Sequence, residues 1–302
     1  MSQLTLTIWA CAASLALSTL LGTSARAQSS AETTAPQKEL DIQVEVGVIR
    51  DDNLTRANMV ADRVQDNAAF VGISKPFNYS LTEHSRLVFT GLLGGEKFRR
   101  VDGLSRTYIG GEVEYQYRGS SAFDEPTYGA FLKLTAENFD SAQRDGNRVS
   151  VGLTLARSLT DRINLYGALS HNRRNASSEI FSSSENALRG NLDFQLTDRA
   201  QFYVGAEYRR GHIVSTGWPM MPGAWAPGVW TMDDVFSGMT TYRMRGKTTL
   251  LTLGFNYSLT PSQSVDLSLR RIQVKPTSDI AWTGVATSYN SNQLSLVYLL
   301  RF

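Results

Sequence analysis

The chain has 302 residues, 42% of them hydrophobic, and its 30 Lys and Arg nearly balance 28 Asp and Glu to give a formal net charge of +2. Proteins that bind nucleic acid usually carry a much larger positive charge, so no nucleic acid is expected among its partners. Beyond residue 22 there is no run of about 18 apolar residues, which excludes a protein that crosses the membrane with helices.

The first 27 residues have the pattern of a secretory signal peptide. Residues 4–22 are apolar or small and uncharged, and Ala25-Arg26-Ala27 has the A-x-A form of a signal-peptidase site. We therefore predict export with cleavage near Ala27, which leaves the polar residues 28–39 as a periplasmic linker. The only cysteine, Cys11, leaves with the signal, and the mature chain then needs no disulfide in an oxidising compartment.

From residue 40 onward, apolar and polar residues alternate with the period of two that is typical of β-strands. Between Leu40 and Val48 every even-numbered residue is apolar, and the residues between them include Asp41, Gln43 and Glu45. The lengths of such stretches are close to the roughly 9–11 residues with which a tilted strand crosses a bilayer. We predict about twelve strands, within a range of about ten to fourteen, at residues 40–50, 66–77, 86–99, 107–117, 127–137, 148–158, 163–173, 185–195, 201–211, 241–257, 264–274 and 287–302.

The predicted connections alternate between short and long. Most short ones repeat a Leu-Thr pair followed by Asp, Glu or Pro, and they lie at residues 80–85, 158–162, 195–199 and 258–263. Residues 118–126 take a place in the same series without that pair. The long connections lie at residues 51–65, 100–106, 138–147, 174–184, 212–240 and 275–286. This asymmetry is typical of an outer-membrane barrel, with its turns in the periplasm and its loops outside the cell.

We predict an all-β fold in which residues 40–302 form a single up-and-down antiparallel transmembrane β-barrel of the cell outer membrane. Lipid demands such a closed sheet, because an open sheet would expose unpaired backbone groups to hydrocarbon. A secreted β-sandwich is the alternative, since its strands also alternate. It is less consistent with the sequence, because one face stays apolar through strand after strand while the other is Ser, Thr, Gly, Asn and charged residues.

The C-terminal sequence QLSLVYLLRF places Tyr298, Leu300 and Phe302 on one face of the last strand. This ending resembles the β-signal read by the barrel-assembly machinery, and the resemblance implies that machinery as a partner during biogenesis. The first strand VGVIRDDNLTRA, the SLTDR turns and the closing strand resemble stretches of Gram-negative outer-membrane β-barrel proteins. They also resemble the C-terminal barrel of surface lipoprotein assembly modifiers, which help move lipoproteins to the cell surface.

Alternation also predicts which charged side chains face the lumen of the barrel. The first five strands supply mainly acids, and the later strands supply arginines with some acids among them. Two walls of opposite charge would give a pore a transverse field, whereas pairing of the same groups would only make a narrow lumen polar, and both alternatives stay open. The predicted lumen charges are Glu45, Glu112, Glu114, Lys133, Glu137, Arg189, Asp193, Glu207, Arg209, Asp266 and Arg270.

The loop side carries the predicted contacts with the cell surface. Its arginines match the phosphates of lipopolysaccharide, while ordinary solvation and an anion-attracting vestibule are the alternatives. The predicted lipopolysaccharide-facing residues are Arg99, Arg100, Arg173, Arg174, Arg210, Arg243 and Arg245. The apolar segment 217–236 needs cover, and we expect it to pack inward as a constriction, with contact to lipid A or a glycan as the alternatives. The predicted constriction residues are Trp218, Met220, Met221, Trp225 and Trp230.

An enzyme is not expected from this sequence. Of its three histidines, only His171 lies at a height suited to chemistry on the lipid-facing rim. The adjacent Ser170 points to the opposite face, and the His-x-Ser-Asn-Gly pattern of outer-membrane phospholipases is absent. The pairs Asp51-Asp52 and Asp233-Asp234 lack the spacing of a defined cation site, so no metal or cofactor is expected.

These features predict a narrow diffusion or substrate-selective channel in outer-membrane lipid and lipopolysaccharide, with a small solute or a glycan as its substrate. The alternative is an accessory barrel for the export of polysaccharide or the assembly of surface lipoproteins, without general pore activity. Single-channel conductance separates the two.

Overall fold

The computed structural model describes residues 41–218, 229–277 and 288–302, so the predicted signal peptide and linker lie outside the described residues. A strand occupies each of the twelve predicted places, and the prediction of an all-β barrel is confirmed. A short additional strand, β10, lies within the longest predicted loop. The strands are β1 (Gln43–Asp51), β2 (Asp66–Ser80), β3 (Ser85–Phe98), β4 (Arg106–Arg118), β5 (Thr127–Phe139), β6 (Gly146–Thr160), β7 (Ile163–Ala176), β8 (Ser183–Gln195), β9 (Ala200–Gly217), β10 (Val229–Met232), β11 (Thr240–Thr260), β12 (Gln263–Pro276) and β13 (Tyr289–Arg301).

The strands close into one antiparallel barrel. Each long strand pairs with its neighbours in chain order, and β13 pairs with β1 so that Tyr298 lies opposite Val46. β9 pairs directly with β11, while β10 pairs with the part of β11 that continues beyond the end of β12. Each of the twelve long strands that the structure describes therefore has a partner on both sides, as lipid requires.

The two faces of the wall differ as the alternation predicts. The outward face is a belt of exposed apolar side chains, among them Leu93, Leu169, Leu253 and Leu296. An apolar surface of this extent on the outside of a barrel is stable against lipid and not against water. Exposed tyrosines lie on the same face nearer the short turns, as in the aromatic girdle of outer-membrane barrels, and they include Tyr79, Tyr115, Tyr117 and Tyr128.

The barrel has two unlike ends. The turn end carries the connections at residues 81–84, 119–126, 161–162, 196–199 and 261–262. The loop end carries the longer connections, with 3-10 helices at Val60–Asp62, Asp102–Leu104, Ala142–Arg144 and Glu179–Phe181. Of the residues that the structure describes, none belongs to a helix long and apolar enough to span a membrane.

Two strands continue past the rim at the loop end and fold over the barrel mouth. β9 has 18 residues and β11 has 21, whereas β1 has 9 and β2 has 15. The Thr216 amide of the β9 extension donates to the Thr55 carbonyl of the first loop at 3.0 Å. We call residues 213–217 and 229–244 the cap. They comprise the extensions of β9 and β11 and the hairpin formed by β10 and the start of β11.

Apolar side chains of the cap fill the lumen at the loop end. Phe236 and Met239 are buried in a cluster with Ile49, Leu54, Ala68, Phe98 and Leu104. Ile213 and Met244 are buried in a second cluster with Leu250, Ile272, Val274 and Tyr289. Because these partners come from strands and loops around the barrel, the cap closes the part of the mouth that the structure describes.

Candidate functional site: the charged lumen

A cavity of about 630 Å³ occupies the lumen below the cap. Its lining includes residues of the short turns, such as His84 and Arg118, and it reaches inward to Glu137, Arg148 and Glu207. The described residues of the cap do not line it. The cavity therefore extends from the turn end to a charged layer that lies directly below the packed loop end.

The charged layer consists of two groups, and the first surrounds Glu137 on β5. Arg106 Nη1 donates to Glu137 at 2.7 Å and Arg174 Nε donates to it at 3.0 Å, while Arg148 lies 3.8 Å away. Arg106 Nε also donates to Glu96 at 3.2 Å. Three guanidinium groups thus face two carboxylates, and all five side chains are buried.

The second group lies next to the first along the wall, on β8, β9 and β12 around Glu207. Arg209 Nε donates to Glu207 at 2.6 Å and Arg189 Nε donates to it at 3.2 Å. Glu185 lies 3.8 Å from Arg209, and Arg270 Nε donates to a threonine hydroxyl at 3.2 Å. Here too arginines outnumber carboxylates by three to two. The layer as a whole therefore carries an excess of positive charge.

Arg148 differs from the other arginines of the layer. It is 7% exposed and lines the cavity, yet its Nε and Nη2 have no hydrogen-bond partner among the described residues. A buried guanidinium is costly unless its charge and its donors are satisfied. Arg148 therefore brings an incompletely hydrogen-bonded guanidinium to the inner end of the cavity, where its Nη2 lies 3.8 Å from Glu137.

The turn-end half of the lumen is built differently. Its acids accept hydrogen bonds from neutral groups: Gln43 donates to Glu45 at 2.8 Å, and the Tyr203 hydroxyl donates to Asp266 at 2.9 Å. Glu114 accepts from the Thr154 hydroxyl at 2.7 Å. Because these carboxylates border the cavity, water within it can hydrate them.

All eleven predicted lumen charges point into the barrel, but they are not divided into two opposite walls. Glu137 and Glu207 are paired with arginines, and Glu112 lies 3.6 Å from Lys133. Acids and bases occur at both levels, since Arg86, Arg118 and Arg157 line the cavity near the turn end and Glu137 and Glu207 lie among the deeper arginines. These contacts correspond to the alternative in which the lumen charges pair. The part that these residues play in conduction stays a prediction.

Arg144 connects the cap to the third loop. Its Nη2 donates to both carboxylate oxygens of Asp233 at 2.8 and 2.7 Å, its Nη1 donates to Asp234, and its guanidinium lies 4.2 Å from the centre of the Phe181 ring. Arg144 and Asp233 are both buried. We call Arg144, Asp233 and Asp234 the latch, because these side chains join the cap hairpin to the opposite side of the mouth.

The predicted constriction lies partly outside the described residues, which omit Met220, Met221 and Trp225. Trp218 and Trp230 are each 53% exposed and do not line the cavity, so the expected inward packing is wrong for these two. Phe236 and Met239, a few residues further along the chain, close the mouth instead. The Trp218 ring lies against Gly238 of the cap hairpin, and about half of each tryptophan stays exposed.

The predicted lipopolysaccharide-facing set needs two corrections. Arg174 is buried in the lumen against Glu137, because β7 continues to Ala176 and alternation then turns this side chain inward. Arg243 is mostly buried and bound to Glu179 at 2.7 Å. The remaining predicted residues are exposed at the loop end or on the outward face near it: Arg99, Arg100, Arg173, Arg210 and Arg245.

Sequence reasoning did not place Arg106, Arg144 or Arg148 in the lumen or the cap. Arg106 and Arg148 are in phase with inward residues of β4 and β6, so alternation extended by one or two residues would have found them. Arg144 belongs to a 3-10 helix, and its partners lie about 90 positions away, so no local pattern marks it. The C-terminal Tyr298, Leu300 and Phe302 lie on the outward face of β13, whose backbone pairs with β1.

No family model matches the sequence, and no curated protein matches it either. The fold is similar to that of an outer membrane channel from Pseudomonas putida F1, with 13% sequence identity, a TM-score of 0.56, and coverage of 90% of this chain and 100% of that chain. Two porins are more distant. The NanC porin has 9% identity and a TM-score of 0.45 over 86% of this chain and 99% of that chain. The KdgM porin has 10% identity and a TM-score of 0.43 over 85% and 99%.

The first of these likenesses is at the level of fold. It agrees with the closed twelve-stranded wall and the apolar belt, and the predicted outer-membrane β-barrel fold is confirmed. What passes through this chain, and what binds to it, are questions for its own residues.

Proposed function

We propose that the protein is a narrow, substrate-selective channel of the cell outer membrane for small anionic solutes. The observation that carries the proposal is the inner end of the lumen cavity, where four guanidinium groups and three carboxylates line the wall: Arg106, Arg148, Arg189 and Arg270 with Glu96, Glu137 and Glu207. Guanidinium binds carboxylate or phosphate in a planar, two-donor geometry. An excess of such groups at the inner end of a narrow lumen favours anions over cations at that point.

The acids nearer the turn end indicate what the rest of the solute is like. Glu45, Glu114, Asp193 and Asp266 border the same cavity and act as hydrogen-bond acceptors. Hydroxyl groups of a solute can donate to them while an anionic group reaches Arg148. A carboxylate-bearing, hydroxyl-rich molecule such as an acidic sugar therefore fits the cavity better than a simple inorganic anion.

Passage through the barrel requires the cap to move. In the structure the loop end is packed and the latch holds the cap, which corresponds to a closed channel. Removing one partner from a buried ion pair costs roughly 3–5 kcal/mol, so a substitution that breaks the latch should strongly destabilise the closed state. An anion that competes with Asp233 or Asp234 for Arg144 would favour opening.

The proposal is tested with the purified full-length mature protein in liposomes. We expect faster uptake of glucuronate than of glucose, and we expect Arg148→Gln to remove most of that preference because a guanidinium charge that lines the cavity is lost. Arg99→Gln, at an exposed rim position, is the matched control and should leave the preference intact. Equal uptake of both sugars by wild type and variant would contradict an anion channel.

The accessory-barrel alternative is favoured by one observation, the closed loop end above a cavity that extends to the turn end. A periplasmic partner would reach that cavity without any opening of the cap. Copurification of a periplasmic protein or a surface lipoprotein with a barrel that passes no solute would support this alternative.

The remaining contacts are proposed on the same basis. The exposed Arg99, Arg100, Arg210 and Arg245 suit the phosphates of lipopolysaccharide. Tyr298, Leu300 and Phe302 suit recognition by the barrel-assembly machinery, because they lie on one face of the strand that closes the barrel. Slower membrane assembly of Phe302→Ser than of wild type would support this role.

A further inference from the structure

The outward face of β7 and β8 carries three polar side chains that lie within hydrogen-bond distance of one another. His171 Nδ1 is 2.8 Å from Asn186 Oδ1, and His171 Nε2 is 3.3 Å from Ser184 Oγ. His171 and Asn186 are direct cross-strand neighbours, and Ser184 lies two residues from Asn186 on the same strand and the same face. We propose that Ser184, His171 and Asn186 form the nucleophile, base and positioning residue of a hydrolytic site for acyl esters of membrane lipid.

The chemistry of the three groups fixes their roles. In the tautomer that the proposal requires, His171 Nδ1–H donates to Asn186 Oδ1, because an amide oxygen only accepts hydrogen bonds. His171 Nε2 then carries the free lone pair and accepts the hydroxyl proton of Ser184. This is the arrangement that activates a serine nucleophile, with a third residue orienting the base. The distance of 3.3 Å between base and nucleophile is of the looser kind found before substrate is bound.

The site lies at the edge of the apolar belt. Leu169 and Leu188 face outward two residues nearer the turn end than His171 and Asn186, and they are 54% and 59% exposed. On the loop side the face becomes basic: Arg173 lies opposite Ser184. A lipid whose acyl chains lie along the belt therefore has its ester groups near the height of Ser184.

Two arginines on this face suit the rest of such a substrate. Arg173 is the cross-strand neighbour of Ser184, and Arg210 is that of Asn186. Neighbours of this kind have Cβ atoms roughly 4.5–5.5 Å apart, within the reach of a long side chain. Guanidinium groups at this place suit the phosphate of a lipid headgroup and the negative charge that develops on the carbonyl oxygen.

The reaction needs only water as a co-reactant. Ser184 Oγ attacks the ester carbonyl as its proton passes to His171 Nε2, and the tetrahedral species expels the lipid alcohol, which takes the proton from Nε2. Water then gives a proton to Nε2 and attacks the acyl-serine ester. The fatty acid leaves and the proton returns to Ser184 Oγ.

Local sequence could not reveal this site. In the sequence, the serine next to His171 is Ser170, whose side chain points to the other face of the strand. In the structure, the neighbouring strand β8 brings Ser184 within 3.3 Å of His171. The inference does not depend on the channel, because the three residues lie outside the lumen and do not line its cavity.

The test uses full-length mature protein in mixed micelles of detergent and phosphatidylglycerol, with released fatty acid as the readout. We expect measurable release by wild type, and a loss of at least about 100-fold in Ser184→Ala and in His171→Ala. A fluorophosphonate should label Ser184 in wild type, as shown by mass spectrometry of the labelled peptide. Ser183→Ala is the matched control, since this serine is adjacent on the same strand and faces the other way, and it should keep full activity.

The positioning role of Asn186 has its own readout. Asn186→Ala should lose about 10-fold or more in kcat, and Asn186→Asp should restore it because a carboxylate oxygen also accepts from Nδ1. A wild type that releases no more fatty acid than Ser184→Ala, and no labelling at Ser184, would overturn the proposal. Heat-modifiable gel mobility checks that each variant is a folded barrel, and solute uptake by Ser184→Ala should equal that of wild type.

Discussion

Glu137 and Glu45 are both buried carboxylates on the inner face of the same barrel, yet their surroundings differ. Glu137 lies among three arginines beneath the packed loop end, while Glu45 accepts a hydrogen bond from Gln43 beside the cavity. The loop-end half of the lumen is thus held together by ion pairs and apolar packing. The turn-end half keeps its acids accessible to water or to a solute.

Within one lumen, the charges of the loop-end half therefore stabilise the fold, and the acids of the turn-end half are available to bind a solute. Buried charges that are already paired are costly to disturb, so they contribute to a rigid closed end. Acids that border a cavity contribute less to stability and stay available to a ligand.

The largest effect is expected from Glu137→Gln. Removal of this carboxylate leaves three buried guanidinium groups without their shared counter-charge, and we expect a loss of roughly 3–5 kcal/mol in the free energy of unfolding. Urea unfolding in lipid vesicles measures it. Glu114→Gln, in the turn-end half, is the control and should cost less than about 1 kcal/mol. Equal costs for the two would contradict the contrast.

Truncation of the cap packing comes next. Phe236→Ala removes a buried aromatic ring and should cost the closed cap about 3 kcal/mol, which corresponds to a roughly 100-fold larger open population. Because the ring packs in the cap and not in the wall, the barrel should stay folded while protease cleavage within residues 233–239 accelerates. Val60→Ala, at an exposed loop position, should leave that cleavage rate unchanged.

A smaller effect is expected from a change of charge near the turn end. Glu45→Gln removes one acid from the cavity wall and should shift the selectivity of conduction about two-fold further towards anions. The reversal potential in a salt gradient reports this shift. An unchanged reversal potential would show that Glu45 does not border the permeation path.

The smallest effect is expected at an exposed ion pair on the turn side. Arg157 and Asp124 lie 3.4 Å apart with side chains 46% and 67% exposed. Solvent screens such a pair, so Arg157→Ala should change the free energy of unfolding by no more than about 0.5 kcal/mol. A cost comparable to that of Glu137→Gln would mean that position in the barrel does not determine the worth of a charge.

Features that depend on neighbouring residues could be predicted from the sequence, and features that depend on contacts between distant residues could not. A strand shows its period of two within a few residues, so the twelve strands and the inward phase of Glu45 or Arg270 could be predicted. Strand ends carry no such signal, and Arg174 was placed in a loop because β7 continues three residues beyond its predicted end. The cap could not be predicted, since Asp233 meets Arg144 across about 90 positions of chain.

We infer that the charged lumen is a conduction path and that the cap closes it. Single-channel recording of the full-length protein and of Asp233→Asn in planar bilayers tests it most directly, because this substitution weakens the latch and leaves the lumen lining unchanged. We predict rare, brief openings in wild type, long openings in the variant, and a reversal potential on the anion-selective side in both. A variant that is folded and inserted yet as silent as a protein-free bilayer would contradict the account.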